Sequence, residues 1–232
     1  MARRVRVLTL CVAVAFGAMT AGCANTVQGA PVKAKGSAPT DVPLLEERDL
    51  DGLLLSNADL DKIAGVDLES FYSTSEMNDN ADLVSDPTCV GAVYPGEDAA
   101  YADSGWSAVR DELLLEQGAG QNGHLVEQTV VLFDSADDAN AYFDMSKDVW
   151  RSCADSSDIT VDGDPWTPQQ VQQVDDHLIT LKAQVTGSIE GTCQHAIGVV
   201  SNLIVEGFSC DADDNDDAQT IASRILEDAA NN

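Results

Sequence analysis

The clearest periodicity in the chain lies in His177-Leu-Ile-Thr-Leu-Lys-Ala-Gln-Val185, where His177, Ile179, Leu181, Ala183 and Val185 alternate with Thr180, Lys182 and Gln184. A period of two predicts a half-buried strand. Ser107 to Glu116 and Leu125 to Phe133 are strand-like as well. Gln194 to Val200 and Leu203 to Ser209 flank Ser201-Asn202, which predicts a hairpin with a two-residue turn. Helical periodicity follows Ser135-Ala-Asp-Asp138, an N-cap signal, with Ala139, Tyr142, Phe143, Val149, Trp150 and Cys153 on one face. Ser56 and Gly65 bound a short helix over Asn57 to Ala64. Ala218 to Ala229 closes the chain as a helix with Ile221, Ile225 and Leu226 inward. Ser70 to Gly105 shows little periodicity and many turn residues, which predicts a long irregular connection stapled through Cys89. The expected fold class is α+β: a single domain, mainly an antiparallel sheet flanked by helices.

The N-terminus has a different pattern. Arg3, Arg4 and Arg6 precede an apolar run from Val7 to Met19, the charged and apolar regions of an export signal. Thirteen residues of helix cover about 20 Å, short of a hydrocarbon core of about 30 Å. Thr20-Ala21-Gly22-Cys23 follows directly and resembles the lipobox of bacterial lipoproteins, with Thr20 in place of the usual Leu. The expected organisation is a lipoprotein signal peptide over 1–22, a lipidated Cys23 opening a flexible tether over 23–43, and a folded domain over 44–232. Several acyl chains on Cys23 anchor a protein stably where a single chain does not.

Composition narrows the function. Forty acidic against 12 basic side chains give the 232-residue chain a formal charge of −28, and 44% hydrophobic residues mark it as globular despite that charge. Loss of residues 1–22 removes three arginines and no acid, leaving 9 basic groups and a net −31. Nucleic acid is excluded as a partner, because phosphate binding needs clustered Lys and Arg. Lys33 and Lys35, with no carboxylate from Ala24 to Thr40, put mild positive charge beside the membrane and hold the acidic body outward.

Four cysteines remain for the exported domain: Cys89, Cys153, Cys193 and Cys210. An oxidising compartment favours two disulfides over a zinc site, and no C-x-x-C pair is present. Partners in the proposed hairpin sum to 403, as 193 and 210 do, and the count outward from Val200 and Leu203 puts the two cysteines at a non-hydrogen-bonded pair. Their Cα atoms then approach to about 4.5 Å, within disulfide reach. Cys89 is left to pair with Cys153.

Other motifs have weaker support. Gly118-Ala-Gly120-Gln-Asn-Gly123 matches a dinucleotide-binding fingerprint, but a strand-like segment follows where that motif needs a helix. The run Asp211 to Asp217 spaces oxygens as a calcium loop does, yet Asp216 stands at the glycine position and Ala222 at the final glutamate position. Its acids suit the N-terminus of the last helix. His124, His177 and His195 lack metal-ligand spacing, and His195 is expected to face Phe208 across the hairpin. Gly187-Ser188-Ile189-Glu190-Gly191 is not a nucleophile elbow, since its serine comes one place early. No catalytic, cofactor-binding or metal-binding residue is assigned.

The lipobox, Leu53-Leu-Leu-Ser-Asn-Ala-Asp-Leu60, Cys89-Val-Gly91, Phe143 to Cys153 with Trp150, and the late cysteine pair together resemble the PknH-like extracellular sensor domain of mycobacterial serine/threonine kinases, over about Leu45 to Asp228. The resemblance implies a helix-flanked antiparallel sheet with a central cleft that receives a ligand. It also implies cysteines paired first with second and third with fourth, in agreement with the hairpin count. Lipoproteins carrying this domain without a kinase are common in that family, and neither a kinase domain nor a transmembrane segment is read in this sequence. The expected protein is a lipid-anchored, extracytoplasmic, non-catalytic domain that binds a small molecule or envelope component without a cofactor. The alternatives are an interaction module acting on a membrane kinase or cell-wall enzyme, and an envelope hydrolase.

Overall fold

Among the described residues, nine strands, paired antiparallel, form one curled sheet. They are β1 (Leu68–Thr74), β2 (Trp106–Glu116), β3 (Leu125–Phe133), β4 (Thr160–Val161), β5 (Asp164–Pro168), β6 (Gln172–Asp175), β7 (Leu178–Val185), β8 (Gly191–Val200) and β9 (Leu203–Asp211). The order across the sheet is β1-β2-β3-β9-β8-β7-β5-β4, with β6 also on β7. The computed structural model describes residues 42–119, 123–156, 158–186 and 191–232. The expected signal peptide, Cys23 and the expected tether up to position 41 lie outside the described residues, as do Gly120 and Gly187 to Glu190.

The central hairpin has the register that the alternation predicts, from Val200 opposite Leu203 out to Cys193 opposite Cys210. Ser201 takes φ +52°, the left-handed backbone that tight hairpin turns require. Asn202 is buried beside it and locks the turn to two other segments. Its Nδ2 donates to the carbonyls of Phe133 (2.7 Å) and Leu45 (3.1 Å), and its Oδ1 accepts from the Leu45 N–H (2.8 Å).

Helices cover both faces of the sheet. On one lie α1 (Asn57–Ala64) and α5 (Asp217–Ala230), packed with Leu114, Val126, Val130, Ala196, Leu203 and Val205. α5 sits close to the strands because Gly207 has no side chain: a Cβ there would come 2.4 Å from the Ala218 carbonyl oxygen. On the other face lie α2 (Val90–Val93), α3 (Asp98–Tyr101) and α4 (Ala136–Ala154), packed with Val109, Val131, Ile179, Ile197 and Ile204. Ser135 caps α4 by accepting from the Asp138 N–H, and Ala139, Tyr142, Phe143, Trp150 and Cys153 form its buried stripe. No helix among the described residues is long and apolar enough to cross a membrane.

Two expectations are corrected. Ser70 to Gly105 is not an irregular connection, since its start belongs to β1 and it later forms α2 and α3. β1 escapes a period-two reading because the register shifts between Ser70 and Tyr72, and because only Leu68 in this edge strand is buried. β7 is buried on both faces from Leu178 to Leu181, not half-buried, because Leu178 packs with the α5 layer while Ile179 and Leu181 pack with the α4 layer.

Candidate functional site

The α4 side of the sheet carries both a cavity and a row of buried polar groups. The cavity measures about 210 Å³. Its floor is the sheet itself, through Leu181 and Ala183 of β7, Cys193 and His195 of β8, and Phe208 and Cys210 of β9. One wall is the end of α2 with Tyr94. The other is the β4–β5 hairpin, with Val161, Asp162, Asp164, Pro165 and Trp166.

Two constraints hold these walls apart. Val84 bridges Val161, and the Asp162 N–H donates to the Leu83 carbonyl at 2.8 Å, so the far end of the sheet curls back to the segment that leads into α2. The disulfide Cys89–Cys153, with Cα atoms 5.7 Å apart, ties the start of α2 to the end of α4. The second disulfide, Cys193–Cys210, has Cα atoms 4.0 Å apart, the close spacing of a non-hydrogen-bonded pair, and lies in the cavity floor.

His195 presents its ring to the cavity, against Trp150 (centroids 4.5 Å) and edge-on to Phe208 (5.7 Å). Its Nε2 lies 2.9 Å from Glu206 Oε2. Glu206 Oε1 accepts from the Tyr101 hydroxyl (2.7 Å) and the Gly96 N–H (3.1 Å), so the carboxylate is held by three donors if His195 Nε2 carries the proton. Burial, then the Glu206 charge, pushes the Tyr101 hydroxyl far above its ordinary pKa.

A carboxyl pair continues the row on β2 and β3. Glu127 and Asp111 are both buried. Glu127 accepts from the Tyr72 hydroxyl (2.7 Å) and Asn78 Nδ2 (3.2 Å), and Asp111 accepts from the Thr129 hydroxyl. Burial and then the Asp111 charge raise the Glu127 pKa well above the usual range. Burial raises Asp111 too, against the opposing hydrogen bond from Thr129. The pair therefore keeps its protons to higher pH than two exposed acids would.

A comparison with protein families decides what kind of domain this is. A family model described as the PknH-like extracellular domain matches residues 45–228. The chain belongs to the PknH-like extracellular domain family. The serine/threonine-protein kinase PknH of Mycobacterium bovis is 30% identical over 190 residues, covering 80% of this chain and 31% of the kinase. PknH of Mycobacterium tuberculosis is 30% identical over 190 residues, covering 80% of this chain and 30% of the kinase. The chain thus corresponds to less than a third of those relatives' length. The crystal structure of the extracellular domain of PknH from Mycobacterium tuberculosis superimposes with a TM-score of 0.74 at 28% identity, covering 83% of this chain and all of that one. The match is to the extracellular part of a kinase.

Within this PknH-like fold, some of the residues singled out in the sequence gather in two places, while His177 stands apart between β6 and β7. His195 and the Cys193–Cys210 disulfide meet in the cavity. His124 and the acidic run meet at the start of α5, where His124 Nε2 lies 3.2 Å from Asp217 Oδ2 and 3.1 Å from Ser209 Oγ. Asp214 and Asp216 contact Lys182 Nζ at 2.5 and 3.0 Å, which places the run against a lysine and a histidine. Among the described residues, no group of three or more His, Cys, Asp or Glu side chains is arranged to hold a metal ion. Ser209 is fully buried and cannot meet a substrate. The fingerprint glycines connect β2 to β3, and Gly120 lies outside the described residues. Sequence reasoning missed Asp111, Glu127 and Glu206. The available signal was an acid at a core-facing register position between apolar neighbours, as in Leu125-Val-Glu-Gln-Thr-Val.

Proposed function

We propose that this protein is a lipoprotein anchored through Cys23 on the extracytoplasmic face of the membrane, and that its PknH-like domain is a non-catalytic sensor that binds a small, partly apolar molecule. Residues 1–22 serve as the signal peptide and 23–43 as the tether. The observation that carries the binding role is the cavity: a partly open cleft between α2 and the β4–β5 hairpin, floored by apolar strand residues and a disulfide. An apolar cavity of about 150 Å³ takes a benzene ring, so about 210 Å³ suits one ring with a few further atoms, or a short branched chain. A non-catalytic role is supported by where the polar chemistry sits. Asp111 and Glu127 are hydrogen-bonded away from the cavity, and His195 is engaged by Glu206.

Among the described residues the exposed large apolar side chains are Leu44, Phe71, Leu83, Met145 and Val174, each on a different segment of the chain, which favours a pocket binder over an interaction module. The test is mass spectrometry of small molecules retained by protein purified from its native envelope, beside an Ala183→Phe variant that fills the cavity floor. A defined compound retained by the parent and lost from a folded Ala183→Phe protein is expected. Equal retention by both would overturn the assignment of the cavity.

A further inference from the structure

The cavity wall carries acids and aromatic rings, and among the described residues it carries no Lys or Arg. Asp162 and Asp164 stand on the β4–β5 hairpin, with Trp166 beside them and Tyr94 on the α2 side. Asp162 is an exposed turn residue at φ +50°, fixed by its N–H bond to Leu83. Phe208 and the His195 ring close the floor.

Six of the seven Lys and Arg side chains among the described residues pair with other acids, and the seventh, Arg224, lies on α5 and does not line the cavity. Arg48 pairs with Glu46, Lys62 with Asp59, Arg110 with Asp51 and Glu47, Lys147 with Asp144, Arg151 with Asp148, and Lys182 with Asp214 and Asp216. Lys182 also projects from the face of β7 opposite to Leu181 and Ala183, away from the cavity. An anionic group entering the cavity would meet carboxylates and no counter-charge. A cationic nitrogen would meet the Asp162 carboxylate at the mouth and aromatic rings within, the two kinds of group that stabilise an organic ammonium.

We infer that the cavity takes a small organic cation: an apolar body of about one ring joined to a single ammonium group that reaches the Asp162 side of the mouth. This rests on the reading of the cavity as a ligand site and names the chemistry of its ligand. Overall charge assists the choice, since a net −28 chain draws cations from solution over about a Debye length of 8 Å. The local feature, however, is Asp162, so the selectivity depends on that side chain.

The probes are three near-isosteres: 2-phenylethylammonium, 2-phenylethanol and phenylacetate. Each is titrated into the soluble chain carrying Cys23→Ala, with binding read from backbone and indole NMR shifts mapped onto the cavity residues. At low salt 2-phenylethylammonium is expected to bind about fivefold more tightly than 2-phenylethanol, with phenylacetate weakest. The ratio should fall to within about twofold at 1 M salt, where the Debye length is about 3 Å. Asp162→Asn should erase the preference of ammonium over alcohol. Asn tolerates the left-handed backbone at that turn, so the variant folds. Equal binding of alcohol and ammonium, tightest binding of phenylacetate, or a preference that survives Asp162→Asn would each overturn the inference and leave the cavity as a binding site. If no probe shifts the cavity resonances, the inference and the proposed function fall together.

Discussion

His195 Nε2 and Glu206 Oε2 lie 2.9 Å apart on neighbouring strands, diagonally across the β8–β9 ladder, with 2% of each side chain exposed. Glu206 serves as the common acceptor for a strand histidine, a helix tyrosine and the Gly96 backbone, so one carboxylate joins the cavity floor to the segment above it. Glu206→Leu should therefore destabilise the domain by about 3–5 kcal/mol, because His195, Tyr101 and Gly96 would all lose a buried partner. Urea unfolding of the variant checks it. A loss below about 1 kcal/mol would mean that water reaches these groups.

The carboxyl pair on β2 and β3 gives a pH dependence of definite sign. Glu127 has its pKa raised by burial, so the folded state binds its proton more tightly than the unfolded state does. The associated stability is fully present below the unfolded value of about 4.3 and is lost as pH rises through the folded pKa. Gln at this position imitates the protonated acid without titrating. Glu127→Gln should be more stable than the parent at neutral pH, with the gap closing toward pH 4. Urea midpoints of both proteins across that range provide the measurement.

The two disulfides should contribute unequally. Their sequence separations of 64 and 17 correspond to about 4 and 3 kcal/mol of constraint on the unfolded chain. Replacing Cys89 and Cys153 with Ala should cost the larger amount and also loosen α2, which forms a cavity wall. Thermal melts of the two double variants, compared with ligand retention, separate these effects.

Gly207→Ala should destabilise by about 1–3 kcal/mol, since the new Cβ would meet the Ala218 carbonyl oxygen and push α5 off the sheet. Gly52→Ala is the control: no atom lies within 4 Å of its added Cβ, and it should be close to neutral. Denaturant midpoints distinguish the two.

Cys23→Ala should move the protein from the membrane to the soluble fraction without changing the melting temperature of the domain. Cell fractionation followed by a thermal melt tests both halves. Retention of the variant in the membrane would mean that another anchor holds it.

Local pattern sufficed wherever a residue's role depended on its chain neighbours or on a counted register. Ser135 caps α4, Ser201 turns the hairpin, and that turn places Cys193 opposite Cys210 and His195 opposite Phe208, all readable because period and turn length determine them. β1 was illegible because its bulge shifts the register and its faces are exposed, so no alternation survives in the sequence. The site itself had to wait for tertiary structure. Trp166, Tyr94 and His195 meet only because the sheet curls, and Asp111, Glu127 and Glu206 stand out from forty acids only once burial is known. A charged residue has the same letter in water as in a core. What distinguishes the two is the desolvation cost, which depends on what covers the residue, and for Glu206 the covering groups come from Gly96 and Tyr101, 110 and 105 residues away.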